Sequence, residues 1–178
     1  KILSNSDSAI GIYSEYTGGA STLIKSSNEI NLSGDNSIGI YTTGSGIQNI
    51  ENSNLIKIGD SNDENNPSIG IYSNSVGDNI TNDGTISVGK KSLAIYGTNG
   101  NITTNGNINI DENGVGIFSD GGNILISNTS NVNIGNNSSI GVYGVNGVNI
   151  QNNSSNINIG NESYGFLLES GADLTNNG

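Results

Sequence analysis

The side chains in this sequence that could do chemistry are carboxylates, amides, hydroxyls and phenols. Sixteen Asp and Glu stand against five Lys, and His, Arg and Cys are absent. A serine nucleophile would therefore have no imidazole to accept its proton. Disulfides and thiolate metal sites are excluded with the cysteines. Glycoside hydrolysis needs two carboxylates facing each other across a bond, whereas Glu29, Glu51 and Asp83 fall singly in successive repeats. No G-x-x-x-x-G-K-[ST] phosphate loop is present. The densest acidic stretch holds Asp60, Asp63 and Glu64, an oxygen-rich loop of the kind that can take Ca²⁺. It matches neither the EF-hand loop nor the calcium-binding nonapeptide. A solvated loop is the expected reading there, as it is for Asp111-Glu112. The sequence thus points away from an enzyme and calls for no cofactor or metal.

A net charge of −11 repels phosphate backbones and anionic bilayers alike, so nucleic acid and membrane surfaces are poor partners. No apolar run reaches the roughly 20 residues of a membrane helix.

The phenols are better organised than the acids. Tyr13, Tyr41, Tyr72, Tyr96, Phe118 and Tyr143 each close a copy of one stretch, seen most plainly as Ser139-Ile140-Gly141-Val142-Tyr143. Measured between the central small residues, the seven copies lie 28, 31, 24, 22, 25 and 24 residues apart. Stacked, the rings would contribute about 0.5–1.5 kcal/mol per pair beyond burial. They would also form a candidate ligand-binding column on which a sugar or a partner protein could pack.

A period in the twenties is the mark of a repeat architecture. Each repeat holds three short alternating segments: the stretch just described, a second built on Ile24, Ile50, Ile80, Ile102, Ile126, Ile150 and Leu174, and a third such as Ile108-Asn109-Ile110. Alternation of this kind marks half-buried strands. Three strands and three turns per repeat describe one coil of a right-handed parallel β-helix with about seven coils. At ~4.8 Å per coil the rod would be roughly 30 Å long. The whole of 1–178 reads as one such segment, expected to be monomeric. Its first residue is Lys1 and it has no signal peptide, as expected of a piece of a longer chain.

Strand parity assigns both aliphatic columns of the first strand, 10/38/69/93/115/140 and 12/40/71/95/117/142, to the interior. It assigns the small residues and the rings to the outside. Two residues after each second-strand aliphatic come Ser26, Asn52, Asn82, Thr104, Asn128, Asn152 and Asn176. These point inward and form an expected hydrogen-bonded ladder, because an unpaired buried amide costs about 1–3 kcal/mol.

The recurrent Ser-Ile-Gly-Ile-Tyr, together with the runs Ile80–Gly89 and Ile150–Gly160, resembles autotransporter passenger domains, above all the Asn- and Ile-rich fusobacterial adhesins of the RadD-like group. The resemblance spans the chain through its repeats. It implies type V secretion and display at the outer surface through a C-terminal membrane barrel that lies outside this segment. It also implies adhesion to a host or bacterial surface protein or glycan. A carbohydrate-binding or degenerate polysaccharide-lyase β-helix is the alternative.

Overall fold

The computed structural model describes residues 1–178 and contains no helix. The chain winds as a right-handed β-solenoid of about seven coils, each contributing one strand to each of three parallel sheets. The first sheet carries the rings and comprises Ile10–Glu15, Ile38–Thr43, Ile69–Ser73, Leu93–Thr98, Val115–Asp120, Ile140–Val145 and Tyr164–Leu168. The second carries the amide ladder and comprises Thr22–Ser26, Gln48–Asn52, Asn79–Asn82, Asn101–Thr104, Asn123–Ile126, Asn149–Asn152 and Asp173–Asn176. The third comprises Ile2–Ser4, Ile30–Leu32, Leu55–Ile58, Thr85–Val88, Asn107–Ile110, Asn131–Ile134 and Ile157–Ile159.

Isoleucine dominates the interior because a β-branched side chain fills the space above a pleated strand with little loss of rotamer freedom. Ile40, Ile71, Ile95 and Ile117 of the first sheet have no solvent exposure. They meet Ile50, Ile80 and Ile102 of the second sheet and Ile56, Ile86 and Ile108 of the third in one core. Burying each contributes about 1.5–3 kcal/mol. Phe166 takes the interior position in the last coil and packs against the same core, while Tyr164 points out and is 55% exposed.

One column of the first strand departs from the parity expected from sequence. The alternation slips by one residue at the glycine: along Ile38–Thr43 the order is half-buried, buried, buried, half-buried, buried, half-buried, and the same order recurs in Val115–Asp120 and Ile140–Val145. Residues before the slip are therefore reversed. Ser37, Ser68, Ser92 and Ser139 face inward at 0–1% exposure, and Ile38, Ile69, Leu93, Val115 and Ile140 face outward. Ile69 and Leu93, at 7% and 8% exposure, are nearly covered where they stand, yet they lie apart from the contiguous interior cluster.

Glycine permits the slip by close approach. A Cβ on Gly39 would sit 2.5 Å from the Gly70 carbonyl oxygen and 3.0 Å from Cγ2 of the core residue Ile56. A phase shift of one residue sends every side chain beyond it to the other face.

The ladder is also rearranged in one coil. Ile124, not Ile126, aligns with Ile102 and Ile150, so Ile126 fills the ladder position between Thr104 and Asn152. Asn128 is displaced into the exposed turn. Elsewhere the amides bond as expected. Asn52 Nδ2 donates to Asn82 Oδ1 at 2.8 Å, Asn82 Nδ2 donates to Thr104 Oγ1 at 3.3 Å, and Asn152 Nδ2 donates to Asn176 Oδ1 at 2.7 Å. Ser26, the first member, donates to the Asn28 carbonyl at 3.3 Å. Around the gap left by Ile126, Ser130 Oγ donates to the carbonyls of Thr104 and Gly106 at 3.0 and 2.8 Å.

A second buried polar cluster has no sequence signature. The Asp78 carboxylate, 2% exposed, accepts from Ser73 Oγ at 2.6 Å, the Gln48 backbone N–H at 2.7 Å and Thr42 Oγ1 at 3.0 Å. Three donors on a buried carboxylate replace the water it lost.

Candidate functional site: an external apolar groove

The reversed aliphatic column and the rings lie on the same outer face of the first sheet, and between them and the turn side runs a groove of about 630 Å³. Its floor is Ile38, Ile69, Leu93 and Val115. Tyr41, Tyr72, Tyr96 and Phe118 bound it on the side towards the second sheet. On the opposite side stand Glu64, Asn65, Asn66 and Pro67, at the end of the long acidic loop.

That loop is built rather than loose. Asp35, in the preceding coil, accepts from the Asn62 backbone N–H at 3.0 Å, Asn62 Nδ2 at 2.9 Å and Ser61 Oγ at 3.2 Å. These bonds, the Asn62 backbone donor foremost, hold the Asp35 carboxyl below the usual carboxylate range. From the following coil, the Lys90 backbone N–H donates to Asp60 Oδ1 at 2.9 Å and the Lys90 carbonyl accepts from the Ser61 N–H at 2.8 Å. Ser61 Oγ, buried within the loop, also lies 3.0 and 3.1 Å from the carbonyls of Asp63 and Asn66, which compete with Asp35 for its one proton. The insertion is thus tied to the coils on both sides, and its far end becomes the groove wall.

Corners without an insertion turn on a single left-handed residue, as at Asn36, Lys91 and Asn113, with φ of 52°, 55° and 55°. These three also line the groove rim. Lys90 pairs with Glu112 at 2.9 Å, and that bond raises its pKa. Lys91 makes no ion pair and is the one cation lining the groove, with Glu64 the one anion.

The structure brings the predicted aromatic column together from Tyr13 to Tyr143, with successive centroids 4.7–5.4 Å apart. Its geometry alters what the column can do. Tyr72–Tyr96 and Tyr96–Phe118 are stacked, at interplanar angles of 28° and 12°. From Tyr72 to Phe118 the rings therefore cover one another's faces, whereas Tyr41 meets Tyr13 and Tyr72 edge-on at 75° and 64° and Tyr143 meets Phe118 at 89°. A sugar packing flat on an aromatic needs a free face, so the stacked stretch is a wall and not a platform. Burial, followed by its phenolic neighbours Tyr96 and Tyr41, raises the pKa of Tyr72. Hydrogen bonds to Glu15 and Glu169, at 3.0 Å each, raise those of Tyr13 and Tyr143.

Asp60, Asp63 and Glu64 do not converge. Asp60 caps the Lys90 N–H, Asp63 Oδ1 accepts from the Asn65 N–H at 2.9 Å, and Glu64 lines the groove. No group of three acidic side chains in the chain is placed to hold a metal ion. Asp111 and Glu112 likewise serve their corner, with Asp111 Oδ1 accepting from the Glu112 N–H at 2.7 Å.

The groove floor is what sequence parity missed. The signal was the pair of small residues two apart in every copy, Ser and Gly in four of the seven and Ala or Gly substituting in the rest, which a crowded interior requires and an outer face does not. No protein-family model matches the chain, and neither a curated protein nor a solved structure is significantly similar to it.

Proposed function

We propose that this chain is a non-enzymatic adhesive segment: a rigid rod that presents a side surface to a partner at the cell exterior. The observation that carries the reading is the groove. The fold places a column of Ile, Leu and Val on the outer face of the first sheet, half-buried at Ile38 and Val115 and nearly covered at Ile69 and Leu93, beside a row of rings and under an anchored loop. Apolar side chains gathered on an outer face mark an interaction surface. The absence of His, Arg and Cys from the sequence leaves the scattered carboxylates without the partners that acid–base or nucleophilic catalysis uses. The likeness of the repeats to autotransporter adhesins supports the same reading, with surface display as its setting. The glycan-reading alternative loses support along Tyr72, Tyr96 and Phe118, where the rings stack on one another.

The test is adhesion itself. Beads coated with the chain, and beads coated with an Ile69→Glu, Leu93→Glu double variant, are scored for attachment to bacterial and epithelial cells. Attachment of the first at least tenfold above the second is expected. Equal attachment, or none by either, would remove the adhesive role from this groove.

A further inference from the structure

Resting on the adhesive reading above, we infer that the groove takes a basic amphipathic helix of a partner protein, laid along the rod axis with its apolar stripe on Ile38, Ile69, Leu93 and Val115. Two independent observations lead there, one from spacing and one from charge.

The floor residues come from successive coils, aligned strand to strand, so they repeat every ~4.8 Å along the axis. An α-helix advances about 5.4 Å per turn. Its apolar stripe therefore drifts only about 2 Å against the floor over the three intervals between four coils. An extended strand puts same-face side chains about 6.6 Å apart and drifts by roughly 5 Å over the same span. A helix laid in an apolar groove is an established form of peptide recognition. The backbone of this sheet is already paired within the solenoid, so strand addition along the groove has no free edge to use.

Charge selects the sign of the partner. The groove lining itself holds one anion and one cation, Glu64 and Lys91; on the adjoining turns Lys90 and Glu112 neutralise each other, which leaves Asp60, Asp63 and Asp111 as the surplus. The whole chain carries −11. A second copy would bring the same acids to the same rim and be repelled, as would an acidic helix or an anionic bilayer. A helix flanked by Lys or Arg is steered in.

The probe is a synthetic peptide of about 14 residues, roughly 21 Å when helical, made of leucine and lysine with the leucines at i, i+3, i+4 and i+7. Two further peptides separate the arguments: the same composition with leucines at every second position, and the helical pattern with glutamate for lysine. Titration by fluorescence anisotropy is expected to give micromolar binding for the basic helix and at least tenfold weaker binding for the other two.

Leu93→Glu is expected to weaken the basic helix at least tenfold even though it adds a negative charge that would strengthen nonspecific attraction. Leu125→Glu, on the outer face of the second sheet, makes the same change elsewhere and should leave binding intact. Glu64→Lys, in the exposed loop, is expected to weaken binding several-fold and guards against misfolding of Leu93→Glu. Equal binding by the two leucine–lysine peptides, or undiminished binding by Leu93→Glu and Glu64→Lys, would overturn the inference. If coated beads adhere through the groove while the basic helix fails to bind, this partner class is wrong and the adhesive reading stands. If the beads do not adhere either, both fall.

Discussion

Ile40, Ile71, Ile95, Ile117 and Val142 form one aliphatic column, and Ile38, Ile69, Leu93, Val115 and Ile140 form another two residues earlier. The residue types are nearly the same and the strands are the same. Yet the first column lies in the interior cluster with 0–1% exposure, and the second lies on the other face of the strand, half-buried at Ile38, Val115 and Ile140 and nearly covered at Ile69 and Leu93. The difference resides in the residue between them. A position too crowded for any but Gly or Ala lets the backbone slip half a pleat, and the hydrophobic pattern is divided between stability and surface. Side-chain chemistry alone does not decide burial here; the backbone between the side chains does.

Truncation should separate the columns most sharply. Ile95→Ala removes a fully buried side chain and is expected to cost about 2–5 kcal/mol. Ile38→Ala, at a half-buried outward position two coils earlier, should cost less than about 1.5 kcal/mol. Urea denaturation followed by far-ultraviolet circular dichroism measures both. Similar losses would erase the distinction.

The dividing residue can be strained directly. Ala94 holds the glycine position in one coil and is fully buried. Its methyl group is tolerated, but Ala94→Val is expected to destabilise by about 1–3 kcal/mol through overpacking. A neutral result would mean that the site has room and that close approach does not govern the slip.

The amide ladder offers a middle-sized effect on the same denaturation curve. Asn82→Leu leaves Asn52 Nδ2 without its ladder acceptor and removes the donor to Thr104. The expected cost is about 1–3 kcal/mol. Asn128→Leu, in an exposed turn, should change stability by less than about 0.5 kcal/mol. The contrast checks the register that puts Ile126 in the ladder instead.

The smallest effect concerns the loop wall. Asp35 has a folded pKa below its unfolded one, so its contribution is present above the usual carboxylate range and is lost as pH falls through the folded value. Hydrogen exchange at the Asn62 amide should accelerate there relative to neighbouring strand amides, after correction for intrinsic rates. In Asp35→Asn that acid-dependent step should vanish. A step that persists in the variant would assign the anchor to another group.

Much of this molecule was legible in its sequence. The three strands per coil, the parallel register and the ring column follow from repeat spacing and alternation, because each coil must place like residues over like. Four things were not legible, each for a physical reason. The slip at glycine leaves spacing unchanged and reverses only direction. In the fifth coil Ile124 and Ile126 share one parity, so alternation cannot choose between them, and the choice decides where Asn128 lies. The loop ending at Pro67 reads as solvated acid, since its hold on Asp35 and Lys90 joins residues of three coils. Asp78 carries no signal in the repeat pattern for the same reason: its three donors, Thr42, Gln48 and Ser73, come from three separate strands.

The chain contains no cysteine, so a single introduced thiol reports on one position without background. Ile140→Cys and Val142→Cys place that thiol on the two sides of Gly141, where the native residues are half-buried and 1% exposed. Reaction with a water-soluble disulfide reagent under native conditions should be rapid at position 140. At 142 it should be at least a hundredfold slower and should reach the rate of 140 only in denaturant. Equal protection at both positions, or faster reaction at 142, would contradict the outward-facing column on which the groove depends.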